Sequence, residues 1–311
     1  MIAIGAWFGG LWRVARAPWI AAVAYAALLV ITVPLGLILH RDLPPPSQPI
    51  VVEPGAGPAP NLDWLDELTT GRGGLVGSLA PTVVGVAAPL DNLDRLLDRR
   101  RPPLFAIGLS AISMMVWAWL WGGILSRYSD QGRPFFKSCR RWFAPMLKVS
   151  AAGVLAAIAL YLTMHPLLFD LGWPALTAGA SERAAFFWRV ALAVPFLAVL
   201  TLTTLIADYA RISLVLNDRT STRGAIADAI KVIGGNLIAV GVLVLVAAVL
   251  LAGLLVTYGA FEFIPGGSVP TLGRVILIGQ GFIVARIVLR LVNAAAQVTL
   301  SQRIRLRAAT Q

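Results

Sequence analysis

Cysteine and histidine are almost missing: the 311 residues hold one cysteine, Cys139, and two histidines, His40 and His165. A disulfide framework is thereby excluded. So are the usual zinc and iron–sulfur sites, which gather several Cys or His ligands at close spacing. Charge is also scarce, at 13% of residues, about half of what a soluble domain carries. The chain has no G-x-x-x-x-G-K-[ST] phosphate loop, no G-x-G-x-x-G, no G-x-S-x-G elbow and no H-E-x-x-H, so the common nucleotide, hydrolase and zinc-protease chemistries have no foothold. No catalytic residue, metal or cofactor is expected.

What is present is apolar. Hydrophobic residues make up 58% of the chain and the mean hydropathy is +0.79. Crossing about 30 Å of hydrocarbon at about 1.5 Å per residue takes roughly 20 apolar residues. Residues 19–39, 104–125, 149–169, 190–207 and 237–258 meet that test almost without charge, and His165-Pro166 marks one end of the third. Residues 275–300 make a sixth span that carries Arg286 and Arg290. The first run is too long for a signal core of about 7–15 residues and lacks a cleavage site, so it reads as an anchor. Residues 73–90 are uncharged too, but they contain Pro81, Pro89, Gly77 and Gly85, and a span there would turn the basic run 127–148 outward.

The net charge of +11 is therefore an orientation signal. With the N-terminus inside, the inner segments hold fifteen basic residues and four acids, and the outer loops eight basic residues and eleven acids. Positive residues favour the cytoplasmic side, so both termini are expected there, in a bacterial inner membrane. The basic residues hug span ends, which excludes a nucleic-acid surface.

Three segments next to the spans have helical apolar periodicity. They are Ile4, Trp7, Phe8 and Leu11; Phe135, Phe136, Cys139, Trp142, Phe143 and Met146; and Ala225, Ile226, Ala229, Ile230 and Ile233. Arg133, Lys137, Arg140 and Arg141 accompany the second, and Arg223 and Lys231 the third. Each is expected to lie as a short amphipathic helix in the inner headgroup layer, facing anionic lipid. The chain then reads as three modules of about residues 1–127, 128–217 and 218–311, the last two opening on Asp130-Gln131-Gly132-Arg133 and Asp218-Arg219-Thr220-Ser221. Alternation of spans with basic inner loops, without duplication, accounts for the same pattern. Trp117, Trp119, Trp121, Trp142, Tyr128 and Tyr209 are expected in an aromatic belt at the membrane surface, and the pairs Ala152/Ala156, Gly153/Ala157 and Ala248/Ala252 at helix contacts.

Residues 40–103 form the one sizeable loop, expected outside: a proline-rich tether over 44–60, then a more organised part over 61–98. It reads as a lid on the outer surface or as a docking surface for a protein partner. Asp63, Asp66 and Glu67 are a close acidic trio, read as solvated helix residues or, alternatively, as the acids of a lipid-modifying enzyme. The charges that topology leaves over are Arg286 and Arg290, one turn apart. Charge at such depth normally faces the bundle interior with a partner. Asp208 is within reach of Arg290, and Arg286 is a candidate contact for an anionic headgroup or solute.

The strings Trp121-Gly122-Gly123-Ile124-Leu125, Asp208-Tyr209-Ala210-Arg211-Ile212-Ser213-Leu214-Val215-Leu216 and Arg290-Leu291-Val292-Asn293-Ala294-Ala295-Ala296 resemble six-span bacterial membrane proteins of unassigned function. More loosely, they resemble the membrane domain attached to some glycerophosphodiester phosphodiesterases. The resemblance runs over most of the chain from Leu104 onward and implies an architecture and a cytoplasmic-membrane location. The soluble phosphodiesterase domain's metal-binding acids and histidines are not matched, so no catalytic residue carries over. The sequence thus predicts an all-α protein with six transmembrane helices and three cytoplasmic-side interfacial amphipathic helices. Its expected role is that of a scaffold or accessory subunit, and the alternative is a transporter of an anionic or amphipathic solute.

Overall fold

The computed structural model describes residues 2–42, 104–262 and 272–309; these are helical or in short turns, with no strand among them. The helices are α1 (Ile2–Ala15), α2 (Trp19–Asp42), α3 (Leu104–Tyr128), α4 (Phe135–His165), a π-helical turn over Pro166–Gly172, α5 (Trp173–Thr177), α6 (Glu182–Leu216), α7 (Thr222–Gly235), α8 (Leu237–Glu262) and α9 (Leu272–Ala309). Among the described residues, five helical stretches are long and apolar enough to cross a membrane: Ile107–Tyr128, Phe135–Thr177, Glu182–Leu216, Leu237–Phe261 and Leu277–Arg307. The number is six if α1 and Trp19–Pro34, separated by a short bent break, make one span. The 40–103 loop, its acids Asp63, Asp66 and Glu67, and the 73–90 stretch lie outside the described residues.

Local chemistry sets the ends. Ser181 and Ser221 cap α6 and α7, each side chain accepting from the backbone N–H three residues on. After α3 and α6 the chain stops in the same way. Asp130 and Asp218 adopt left-handed backbone, at φ 56° and 48°. Gln131 N–H donates to the Ser126 carbonyl and Asp130 N–H to that of Arg127; Arg219 and Asp218 do the same to Leu214 and Val215. This is a Schellman stop with aspartate where glycine is usual. Pro166 has no N–H for the α-helical ladder and opens the π-helical turn.

The second amphipathic segment is not a separate short helix. Residues 135–146 are the first turns of α4, which continues unbroken to His165. Pro145 forfeits one ladder bond and is buried; it does not end the helix. By contrast α1 stops ahead of Pro18, and α7 stops at Gly234-Gly235.

Two compact units divide the chain. The first comprises Met1–Arg16, Ile112–Leu245 and Val292–Gln311, and the second Ala17–Ala111 and Val246–Leu291. In the first, Trp117, Leu120, Trp121, Ile124 and Tyr128 fall three or four residues apart on α3 and are buried. Trp142 and Met146 of α4, Tyr209 and Leu214 of α6, Ala225, Ala229 and Ile233 of α7, and Ala295, Ala296 and Leu300 of α9 join them. The aromatic-belt expectation is therefore corrected. Trp142, Tyr128 and Tyr209 are at most 2% exposed, and Trp119 alone of the six is partly accessible. Their helical spacing places them on the packing face.

Glycine allows the closest approaches in this core. A Cβ on Gly10 would sit 2.6 Å from the Ala296 nitrogen and 2.8 Å from the Val292 oxygen, so α1 lies almost backbone-to-backbone on α9. Gly122 stands likewise against α4, where an added Cβ would lie 3.0 Å from the Ser138 oxygen. Of the expected small-residue pairs, Gly153 meets Ala207, while Ala248 and Ala252 are exposed. In the second unit the Tyr25 hydroxyl donates to Gln280 at 2.7 Å, and the Tyr258 and Phe282 rings lie 4.5 Å apart.

Burial is uneven along the helices. Val154, Leu155, Ile158 and Leu162 of α4, Val190, Val194 and Leu202 of α6, and Val249 and Val256 of α8 are exposed. Large aliphatic side chains in such numbers suit hydrocarbon and not water.

Candidate functional site

The helix turns of the first unit carry a polar network. Asp218 accepts from Arg133 at 3.2 and 3.3 Å and from Arg141 at 2.8 Å. Asp130 pairs with Arg13 at 3.6 Å, and Arg13 also donates to Gln302 at 2.8 Å. The two contacts are alike: Arg13 of α1 reaches the acid that follows α3, and Arg133 and Arg141, at the start of α4, reach the acid that follows α6. Asp228 accepts from Ser213 and Asn217, both at 3.1 Å, and Arg305 donates to the other end of Asn217 at 2.6 Å. The hydrogen bond from Arg133 holds the Asp218 carboxyl below the usual carboxylate range, opposed by desolvation and helped by the charges of Arg133 and Arg141. Arg133 is raised in turn, chiefly by the same hydrogen bond.

The six basic residues singled out from the sequence thus divide by role. Arg133 and Arg141 tie helix turns together, while Lys137, Arg140, Arg223 and Lys231 are exposed on α4 and α7. Beside them stand exposed large apolar side chains: Ile4, Phe8, Leu11 and Trp12 on α1, Phe136 on α4 and Ile230 on α7. The Arg16 guanidinium lies 4.7 Å over the Trp12 ring, a cation–π contact. On α1 it is the small face, Ala3, Ala6 and Gly10, that is buried, and the large apolar face that is left outward.

Asp208 makes an ion pair with Arg211 three residues on, and Arg211 also donates to Ser150 at 3.2 Å. Arg286 is exposed on α9 and makes no hydrogen bond or ion pair among the described residues. Arg290, also exposed, is engaged with a neighbouring group. The polar residues further along the helix turn inward: Gln297 is buried and Asn293 half-buried.

Sequence reading missed the environment of His165. Its ring is buried among Tyr161, Phe169 and Phe196, with centroids 5.0, 4.9 and 5.8 Å away. The signal was there, in the four-residue steps 161, 165 and 169, but Phe196 comes from another helix. Among the described residues no three His, Cys, Asp or Glu side chains gather as metal ligands.

Among the described residues the protein is helical, with five helices, or up to six, long and apolar enough to span a membrane. No protein-family profile matches the chain, and neither a curated protein nor a solved structure is significantly similar to it.

Proposed function

We propose that this is a polytopic inner-membrane protein with six spans and both termini cytoplasmic. Three amphipathic segments, formed by α1, the start of α4 and α7, lie in the inner headgroup layer, and the protein serves as a scaffold or accessory subunit. The observation that carries this reading is the pairing of exposed basic with exposed large apolar side chains on the start of α4 and on α7, and of Arg16 with the exposed apolar face of α1 that it follows, next to a closely packed polar and aromatic core. Interfacial helices bind anionic membranes through that combination. The inner position of the helix turns follows from the charge asymmetry.

Two measurements test it. Single cysteines replace Ser221 and Ala180 in a Cys139→Ser background, and intact cells are treated with an impermeant maleimide. Ala180 is expected to label and Ser221 to remain protected until the cells are opened; equal labelling overturns the topology. The quadruple change Lys137→Gln, Arg140→Gln, Arg223→Gln and Lys231→Gln is expected to lower the anionic phospholipid retained through purification, read by lipid mass spectrometry. Unchanged retention overturns the lipid-facing role.

A further inference from the structure

Within the second unit, the facing stretches of α8 and α9 enclose an apolar groove of about 310 Å³, lined by Leu254, Tyr258, Phe261, Leu277, Phe282 and Ala285 among others. That volume is at the low end for small-molecule sites. The polar groups nearby are already satisfied. The Thr257 hydroxyl donates to the Gly253 carbonyl at 2.8 Å, and Gln280 accepts from Tyr25. Beside Gly281 there is open space, with no heavy atom within 4 Å of where a Cβ would stand.

Arg286 follows Ala285 directly and stands one turn beyond Phe282. Side chains on a helix lean back toward its N-terminus, so Arg286 covers the level of Phe282, beside the groove. It is exposed and makes no hydrogen bond or ion pair among the described residues. It also lies about 14 Å into the apolar stretch that begins at Leu277, at about 1.5 Å per residue. A guanidinium at that depth needs an anion, and the groove next to it needs an apolar filling.

We infer that this groove binds a single-chain amphipathic anion, its alkyl tail against Gly281 and Phe282 and its carboxylate or phosphate head on Arg286. The inference rests on α8 and α9 being membrane spans. A carboxylate or a phosphate ester both pair with a guanidinium through charge-assisted hydrogen bonds.

The test uses the full-length protein in phosphatidylcholine nanodiscs with radiolabelled oleate. Competitors are unlabelled oleate, dodecyl phosphate, oleyl alcohol and inorganic phosphate. Saturable oleate binding is expected, displaced by oleate or by dodecyl phosphate and not by the alcohol or by free phosphate; which anion displaces better identifies the head group. Arg286→Gln is expected to weaken binding by about tenfold or more, with Arg286→Lys retaining most of it. Gly281→Leu, whose Cβ meets no heavy atom within 4 Å and whose side chain takes up groove space, is expected to weaken it comparably, and Arg307→Gln to leave it unchanged. Equal displacement by oleyl alcohol, or wild-type binding by Arg286→Gln, overturns the site. A single cysteine replacing Ser268, between α8 and α9 in sequence, in the same Cys139→Ser background separates the two failures: lost binding with Ser268→Cys labelled in intact cells rejects the site alone, and a protected cysteine there rejects the spans on which it rests.

Discussion

At Gly10 the atoms that a side chain would meet are the backbone nitrogen of Ala296 and the backbone oxygen of Val292. Backbone cannot rotate aside, so Gly10→Leu must push α1 off α9. Overpacking of this kind costs about 1–3 kcal/mol, sometimes more, and a lower thermal midpoint in detergent is expected. Gly234, with nothing within 4 Å of its missing Cβ, is the control. Gly234→Ala is expected to raise stability by about 0.4–1 kcal/mol through the unfolded state, read in the same melt. The sequence shows the Gly9-Gly10 and Gly122-Gly123 pairs but not which of these residues touches another helix. A missing side chain leaves no periodic signal, and its partner lies far away in the chain.

The helix turns obey rules that are partly local. An acid followed by a short polar stretch marked the turns at Asp130 and Asp218, and the serine cap of α7 is visible in the letters as well. The ion pairs are not, because Arg133 and Arg141 reach across to the turn after α6, more than seventy residues on. The pH dependence of Asp218 follows from that contact. A carboxyl depressed in the folded state stabilises it fully above the usual carboxylate range, and the contribution fades as pH falls through the folded-state value. Asp218→Asn is therefore expected to lower the melting midpoint at neutral pH, modestly since the group is exposed, and to converge with the parent protein in acid. A variant difference that persists undiminished at low pH rejects the ion-pair account. The merging of the second amphipathic segment into α4 was hidden for a related reason. Hydropathy separates the basic turns from the apolar ones, but the backbone ladder runs through both.

For the molecule as a whole, the core of the first unit is the stable feature against which the exposed apolar stretches stand. Cys139 reports on it directly: its sulfur lies 2.5 Å from where a Gly123 Cβ would be, and the residue is fully buried. Maleimide is expected to leave Cys139 unmodified in mild detergent and to react once sodium dodecyl sulfate opens the core, as measured by intact mass. Fast labelling of the native protein contradicts the packing of α3 on α4.

The sequence by itself determined that the chain is helical, which stretches are apolar enough for a membrane, and where the positive charge collects. Those properties are local sums over 20 or so residues, and burial or solvent cannot change them. Only the tertiary structure decided which face of each helix is the packing face. Trp117 and Trp121, legible as a membrane belt, became core on the helix whose Gly122 and Gly123 let α4 approach closely. The large face of α1 stayed outside because its small face fits α9 more closely. It also left Arg286 exposed beside an apolar groove, since the second wall of that groove comes from α8. Contacts between distant segments depend on shape, and shape at a contact is a property of two helices that neither one carries alone.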